Sequence, residues 1–229
     1  MSTATSTHPG PAAEEPLAAG RPLLRGWLHL VFLPLALAGG FLLVSDAHGP
    51  GQTAALVVYT LAMAALFAVS AAFHRVRWSP AGRRRMRRAD HSTIFVGIAG
   101  TYTAVAALSL HGWAQVLVLC LVWIGGAVGV TLRQVWLDAP KWAVALPYVV
   151  VGWCALAVVP QLVAGLSGGG FALLLAGGAV YSLGALVYAL KRPDPAPRVF
   201  GYHEVFHACT LVGATLHYVA IVAYAMPRR

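Results

Sequence analysis

Seven stretches of this chain are each apolar over about the length that an α-helix needs to cross a bilayer. They run over 27–44, 53–74, 91–110, 113–132, 142–165, 170–190 and 201–226. A hydrocarbon core about 30 Å thick is crossed by about 20 residues rising 1.5 Å each. Inside lipid no water satisfies a backbone N–H or C=O, so a spanning segment of this length must be helical. The expectation is therefore an all-α membrane protein, a seven-transmembrane helix bundle. Composition agrees: 59% of residues are hydrophobic and 10% charged, against about 25% charged in a soluble domain. Turn signals separate the spans: "SDAHGPG" after the first, "SLHG" after the third and "LSGGG" after the fifth. Pro34, Pro147 and Pro160 fall inside spans, where neighbouring helices can satisfy the carbonyls they free. Residues 1–20 are polar, small and proline-rich and read as a disordered tail. No basic segment there precedes a cleavable apolar run, so no signal peptide is expected. Residues 21–229 form one membrane domain.

The basic residues orient the bundle, because Lys and Arg gather in cytoplasmic loops. With the N-terminus cytoplasmic, the inner segments hold Arg21 and Arg25; seven arginines between Arg75 and Arg88; Arg133 and Lys141; and Lys191, Arg192 and Arg198. That is 14 inside, against Arg228 and Arg229 at a C-terminus placed outside. The split supports an odd number of spans. The loop at 75–88 can also attract anionic lipid headgroups, although orientation alone accounts for it. The net charge of +9 accompanies no nucleic-acid-binding motif. Fourteen arginines against two lysines, with abundant Ala, Gly and Val, point to a GC-rich bacterial genome and hence to a multi-pass protein of the bacterial inner (plasma) membrane. Cys120, Cys154 and Cys209 lie apart in apolar stretches and read as small buried residues rather than metal ligands or disulfides.

Ionisable groups near a membrane core are functional candidates by default. The topology places His74, Asp90, His203 and His207, from three distant segments, at one depth near the cytoplasmic edge. His203 and His207 share a helical face about 6 Å apart along the axis, close enough to hold one metal ion. Ser70 precedes His74 by one turn on the same face. Three His and a water make a four-coordinate zinc site with an open position; Asp90 would orient or deprotonate that water and Ser70 would hold a substrate oxygen. His ligands must be neutral, so metal affinity should fall in acid. "HEVFH" at 203–207 also fits the H-E-x-x-H pattern of zinc proteases, with Glu204 as base. Glu204, however, points about 100° away from His203, and no late apolar helix offers the Asp ligand an intramembrane protease would need. His8, His29, His48, His91 and His111 read as interfacial polar residues. His217, about 15 Å beyond His207, reads as an interhelical hydrogen bond.

Seven spans, S-x-x-x-H closing the second, Asp opening the third and H-x-x-x-H opening the seventh resemble the hemolysin III family. That family stands with the progestin and adipoQ receptors and, more distantly, the alkaline ceramidases. "GWLHLVFLPLA" at 26–36 and "IAGTYT" at 98–103 carry the likeness further, and it covers essentially the whole chain after residue 20. The resemblance implies His74, His203 and His207 as Zn²⁺ ligands, with Ser70 and Asp90 as the accompanying catalytic pair. Ala104 stands where many members carry proline, which puts a local bend of the third helix in question. Zinc-dependent hydrolysis of a lipid amide or ester, with a membrane lipid as substrate, is the leading expectation. A receptor or signalling module with structural zinc, a cytolytic pore and an intramembrane protease follow in that order.

Overall fold

A computed structural model describes residues 21–226. The tail expected at 1–20 and the arginines at 228 and 229 lie outside them. The described chain is helical throughout: α1 (Trp27–Ser45), α2 (Pro50–Arg75), α3 (Pro80–Ser109), α4 (Gly112–Val135), α5 (Lys141–Gly152), α6 (Val159–Leu190) and α7 (Tyr202–Ala220). A 3-10 turn at Cys154–Val158 joins α5 to α6, and a π-helical turn at Ile221–Ala225 extends α7.

Six stretches are long and apolar enough to cross a membrane: α1, α2, α3, α4, Lys141–Leu190 and Tyr202–Ala225. The fifth runs for 50 residues, which as one straight helix would reach about 75 Å. It does not extend that way. Ser167 adopts φ 62° and ψ 170°, a left-handed conformation that is strained for a residue with a Cβ and interrupts the helical ladder. The two sides pack antiparallel. The Lys141 ammonium lies 4.6 Å from the Tyr188 ring centroid, and Trp153 Nε1 donates to Ser182 Oγ at 2.8 Å.

The arginine run expected as a loop is instead the start of α3. Pro80 occupies the first helical turn, where a missing N–H costs nothing. The Ser79 hydroxyl accepts from Gly82 N at 3.2 Å, capping an orphan donor. α3 continues from Pro80 to Ser109 with Ala104 fully buried.

α2 and α3 form the centre, packed on each other, with α1 beside α2, α4 beside α3, and α6 against α7. Large apolar side chains cover the outside, among them Phe41, Leu61, Trp113 and Val128, as a lipid-facing surface requires. Because lipid is as apolar as leucine, helices associate through close packing. Gly100 of α3 lies against Ala62 and the Val58 carbonyl of α2, and Gly129 of α4 against the Phe95 ring. Among the described residues, every Lys and Arg falls at one end of the bundle: before α1, or at the α2–α3, α4–α5 and α6–α7 junctions.

A Cβ at Gly100 would collide with Ala62, whereas one at Gly51 meets nothing. Gly100→Val should therefore lower stability by about 1–3 kcal/mol, the usual range for overpacking, and Gly51→Ala should leave it nearly unchanged. Thermal unfolding of the two variants in one detergent checks the contrast.

Candidate metal centre

His74 lies in the last turn of α2, and His203 and His207 in the first turns of α7. The helical repeat aligns the two α7 imidazoles, and α1, packed on both α2 and α7, brings the third to them. The ligating nitrogens of all three lie within 4.8 Å of one another. His74 Nε2 and His203 Nε2 are 3.2 Å apart, and ring centroids stand 4.6 Å apart for His203 and His207 and 5.2 Å for His74 and His207. Two nitrogens of a tetrahedral zinc site with bonds of about 2.0–2.1 Å are about 3.3–3.4 Å apart. The His74–His203 pair stands at that spacing, and the three donors together could hold a metal ion.

The remaining predicted residues, Ser70 and Asp90, are both buried and face each other across α2 and α3. The Ser70 side chain neighbours the Asp90 carboxyl. With His203 and His207 they line a cavity of about 130 Å³. From there the cavity follows α3, α5, α6 and α7 through Gly97, Tyr148 and Tyr181 to His217, about 15 Å along the axis from His207. His217 Nε2 donates to the Leu174 carbonyl at 3.1 Å, linking α7 to α6. Gly26 (φ +80°) opens the left-handed turn before α1 and leaves room for the His74 side chain, which a Cβ would strike.

Glu204 is engaged elsewhere. Its Oε2 accepts from Gly201 N at 2.9 Å, capping α7, and its Oε1 pairs with the Arg25 guanidinium. It is 1% exposed. The carboxylate that completes the protease-like pattern thus pins the segment before α1 onto α7.

Two histidines expected at the interface are buried. His29 of α1 is 3% exposed, lines the cavity and stacks on His207 with centroids 4.0 Å apart and planes 2° from parallel. Imidazole lone pairs lie in the ring plane, so two stacked rings cannot aim at one ion. His29 is a wall of the centre rather than a fourth ligand. His91 is also buried and receives a hydrogen bond from Arg133 of α4, 3.1 Å from Nη2 to His91 Nδ1. Neither was separable from an interfacial histidine by position along its span.

Residues 18–218 match the model of the family described as Haemolysin-III related. The chain is 28% identical over 202 residues to "Hemolysin-3" of Bacillus cereus, an alignment covering 87% of this chain and 89% of that protein. It is 31% identical over 137 residues to "Hemolysin-3 homolog" of Bacillus subtilis (strain 168), covering 60% of this chain and 62% of that one.

Metal content per purified chain separates ligands from neighbours. His207→Ala should lose the bound metal, while His29→Ala and Glu204→Gln keep it. Glu204→Gln should instead lower stability by about 1–3 kcal/mol, as expected for weakening a charged hydrogen bond. Metal loss from His29→Ala would overturn the stacking argument.

Proposed function

The chain belongs to the haemolysin-III related family, and from that premise we propose that it is a zinc-dependent hydrolase of a lipid amide or ester. We place it in the bacterial plasma membrane with seven crossings and a cytoplasmic N-terminus. The observation that carries the hydrolase reading is one juxtaposition. Two of the three clustered His donors, His203 and His207, line an elongated apolar cavity together with the buried Ser70 and Asp90.

The cavity would take an acyl chain and present its carbonyl to Ser70 and Asp90. Ser70 has one hydrogen to donate. Turning it to a substrate oxygen would steady developing negative charge there and leave an Asp90 oxygen free to accept a proton from water. Apolar walls would keep bulk water from competing. Zn²⁺ held by His74, His203 and His207 would supply Lewis acidity toward water or the carbonyl.

A receptor or signalling module with structural metal is the second reading. The shielding of the cluster favours it: His207 is 3% exposed and His29 covers one of its faces. That reading requires metal without turnover. A cytolytic activity is suggested by the names of the two Bacillus relatives. The protease reading would need Glu204, which is held by Arg25 and Gly201. Seven crossings are supported by the 50-residue stretch folded back at Ser167. The collection of positive charge at one end supports the orientation.

Release of fatty acid from an N-acyl sphingoid lipid by the reconstituted, zinc-loaded protein tests the hydrolase. Asp90→Asn should cut the rate by about a hundredfold or more, the usual worth of a general base, with zinc per chain unchanged. Turnover by Asp90→Asn at the wild-type rate would remove Asp90 from the mechanism. One zinc per chain with no release from any N-acyl or O-acyl lipid would favour the receptor reading. For the topology, alkaline phosphatase fused after residue 229 should be active and green fluorescent protein there dark; the reverse would invert the orientation.

A further inference from the structure

Arg133 is 1% exposed, and among the described residues it makes no ion pair. Its guanidinium closes the end of α4: Nη1 donates to the Trp136 carbonyl at 2.7 Å and Nη2 to the Leu137 carbonyl at 2.8 Å. Asp138, the next acid along the chain, is solvent-exposed and bound by Arg87 at 2.9 Å. The remaining polar contact of Arg133 is His91 Nδ1, at 3.1 Å from Nη2.

That contact determines where the imidazole proton lies. An arginine N–H only donates, so His91 Nδ1 must accept. The neutral ring then carries its hydrogen on Nε2. The residue is held on its other side by Tyr148, whose hydroxyl donates to the His91 carbonyl at 3.0 Å. His91 is 8% exposed and lines the cavity beside Asp90 and Tyr148. Its Nε2 has no hydrogen-bond partner among the described residues and, unlike the nitrogens of His29, is not sealed off by protein. The fold therefore leaves an N–H donor on a residue of the cavity wall and backs it with a buried guanidinium that makes no ion pair among the described residues.

A second cation reinforces the same side. Lys141, at the start of α5, lies over Tyr188 of the cavity wall and Tyr202, at 4.6 and 4.2 Å from their centroids, and donates to the Tyr202 hydroxyl. It too makes no ion pair among the described residues.

We propose that the His91 wall, backed by Arg133 and Lys141, is an oxyanion-accepting site that holds the carboxylate or phosphate headgroup of a single-chain acidic lipid in the cavity. A charged acceptor strengthens a hydrogen bond from a fixed donor. The two cations, one buried and one half-buried, lower the electrostatic cost of bringing an anion out of water. The inference rests on the cavity taking a lipid, as the proposed function has it, and not on turnover.

The test is binding of matched ligands to the purified full-length, zinc-loaded protein in detergent at mildly alkaline pH: palmitate, hexadecyl phosphate and hexadecanol. The wild type should bind the two acids about tenfold or more tightly than the alcohol, the worth of one charge-assisted hydrogen bond. His91→Leu should abolish that preference while keeping zinc, and His91→Gln, which restores an N–H donor, should recover much of it. Equal wild-type affinities would overturn the proposal whatever the variants do, as would a full preference surviving in His91→Leu. Displacement of hexadecyl phosphate by millimolar inorganic phosphate would overturn the lipid assignment in favour of the free anion. Absence of hydrolysis leaves this binding result intact, so failure of the hydrolase reading is seen separately.

Discussion

The constraint on which everything else depends is the absence of water partners in hydrocarbon. It makes every crossing helical, because a helix bonds its own backbone, and it pushes charge to the ends. In this chain that second effect is one-sided: all described lysines and arginines lie at one end. The same end receives the close of α2 and the starts of α3 and α7. Polar side chains that would be costly at mid-bilayer can gather there, within reach of water and yet enclosed by apolar helices. The position of His74, Ser70, Asp90, His203 and His207 is thus a consequence of the topology as much as of their chemistry.

This explains why the clustering of His74, His203 and His207 was legible in the sequence. Depth follows from counting residues inward from a span end, and facing follows from the helical repeat. Those two rules placed His203 one turn nearer the edge than His207, Ser70 one turn deeper than His74, and all of them near the level of Asp90. What they do not give is lateral neighbourhood, which depends on how helices far apart in sequence pack. His29 lay at the right depth but on α1, and nothing local says that α1 approaches α7. The Arg25–Glu204 pair joins residues 179 positions apart and is invisible for the same reason. The arginine run was misjudged differently. Charge density suggested a loop, whereas arginine is a good helix former and Ser79-Pro80 supplies the start.

The 50-residue stretch shows where periodicity fails altogether. It is apolar almost throughout, so no stripe marks its faces, and its breaks come from backbone. Proline accounts for part of that. The irregular segment from Gly152 to Val158 leaves carbonyls unpaired in the helix, and Tyr102 Oη donates to one of them, Gly152 O, at 2.5 Å. Gly152 and Trp153 also line the cavity. Non-helical backbone at membrane depth is tolerated where protein or a cavity surrounds it, and here both do.

Two buried acids stand near the three histidines, and their partners assign them different work. Glu204 is neutralised by Arg25 and caps α7; removing its charge would loosen the entry of α1 and the start of the helix that carries two of the donors. Asp90 has no cation within ion-pair distance among the described residues, and its side-chain neighbour is Ser70. A carboxyl beside a hydroxyl can take up water or substrate at little cost, whereas one held by a buried ion pair cannot. The H-E-x-x-H spacing by itself would favour Glu204, but helical facing already turns it about 100° from His203. The partners agree with that facing: Glu204 is engaged by Arg25 and caps α7, whereas Asp90, on α3, makes no ion pair among the described residues.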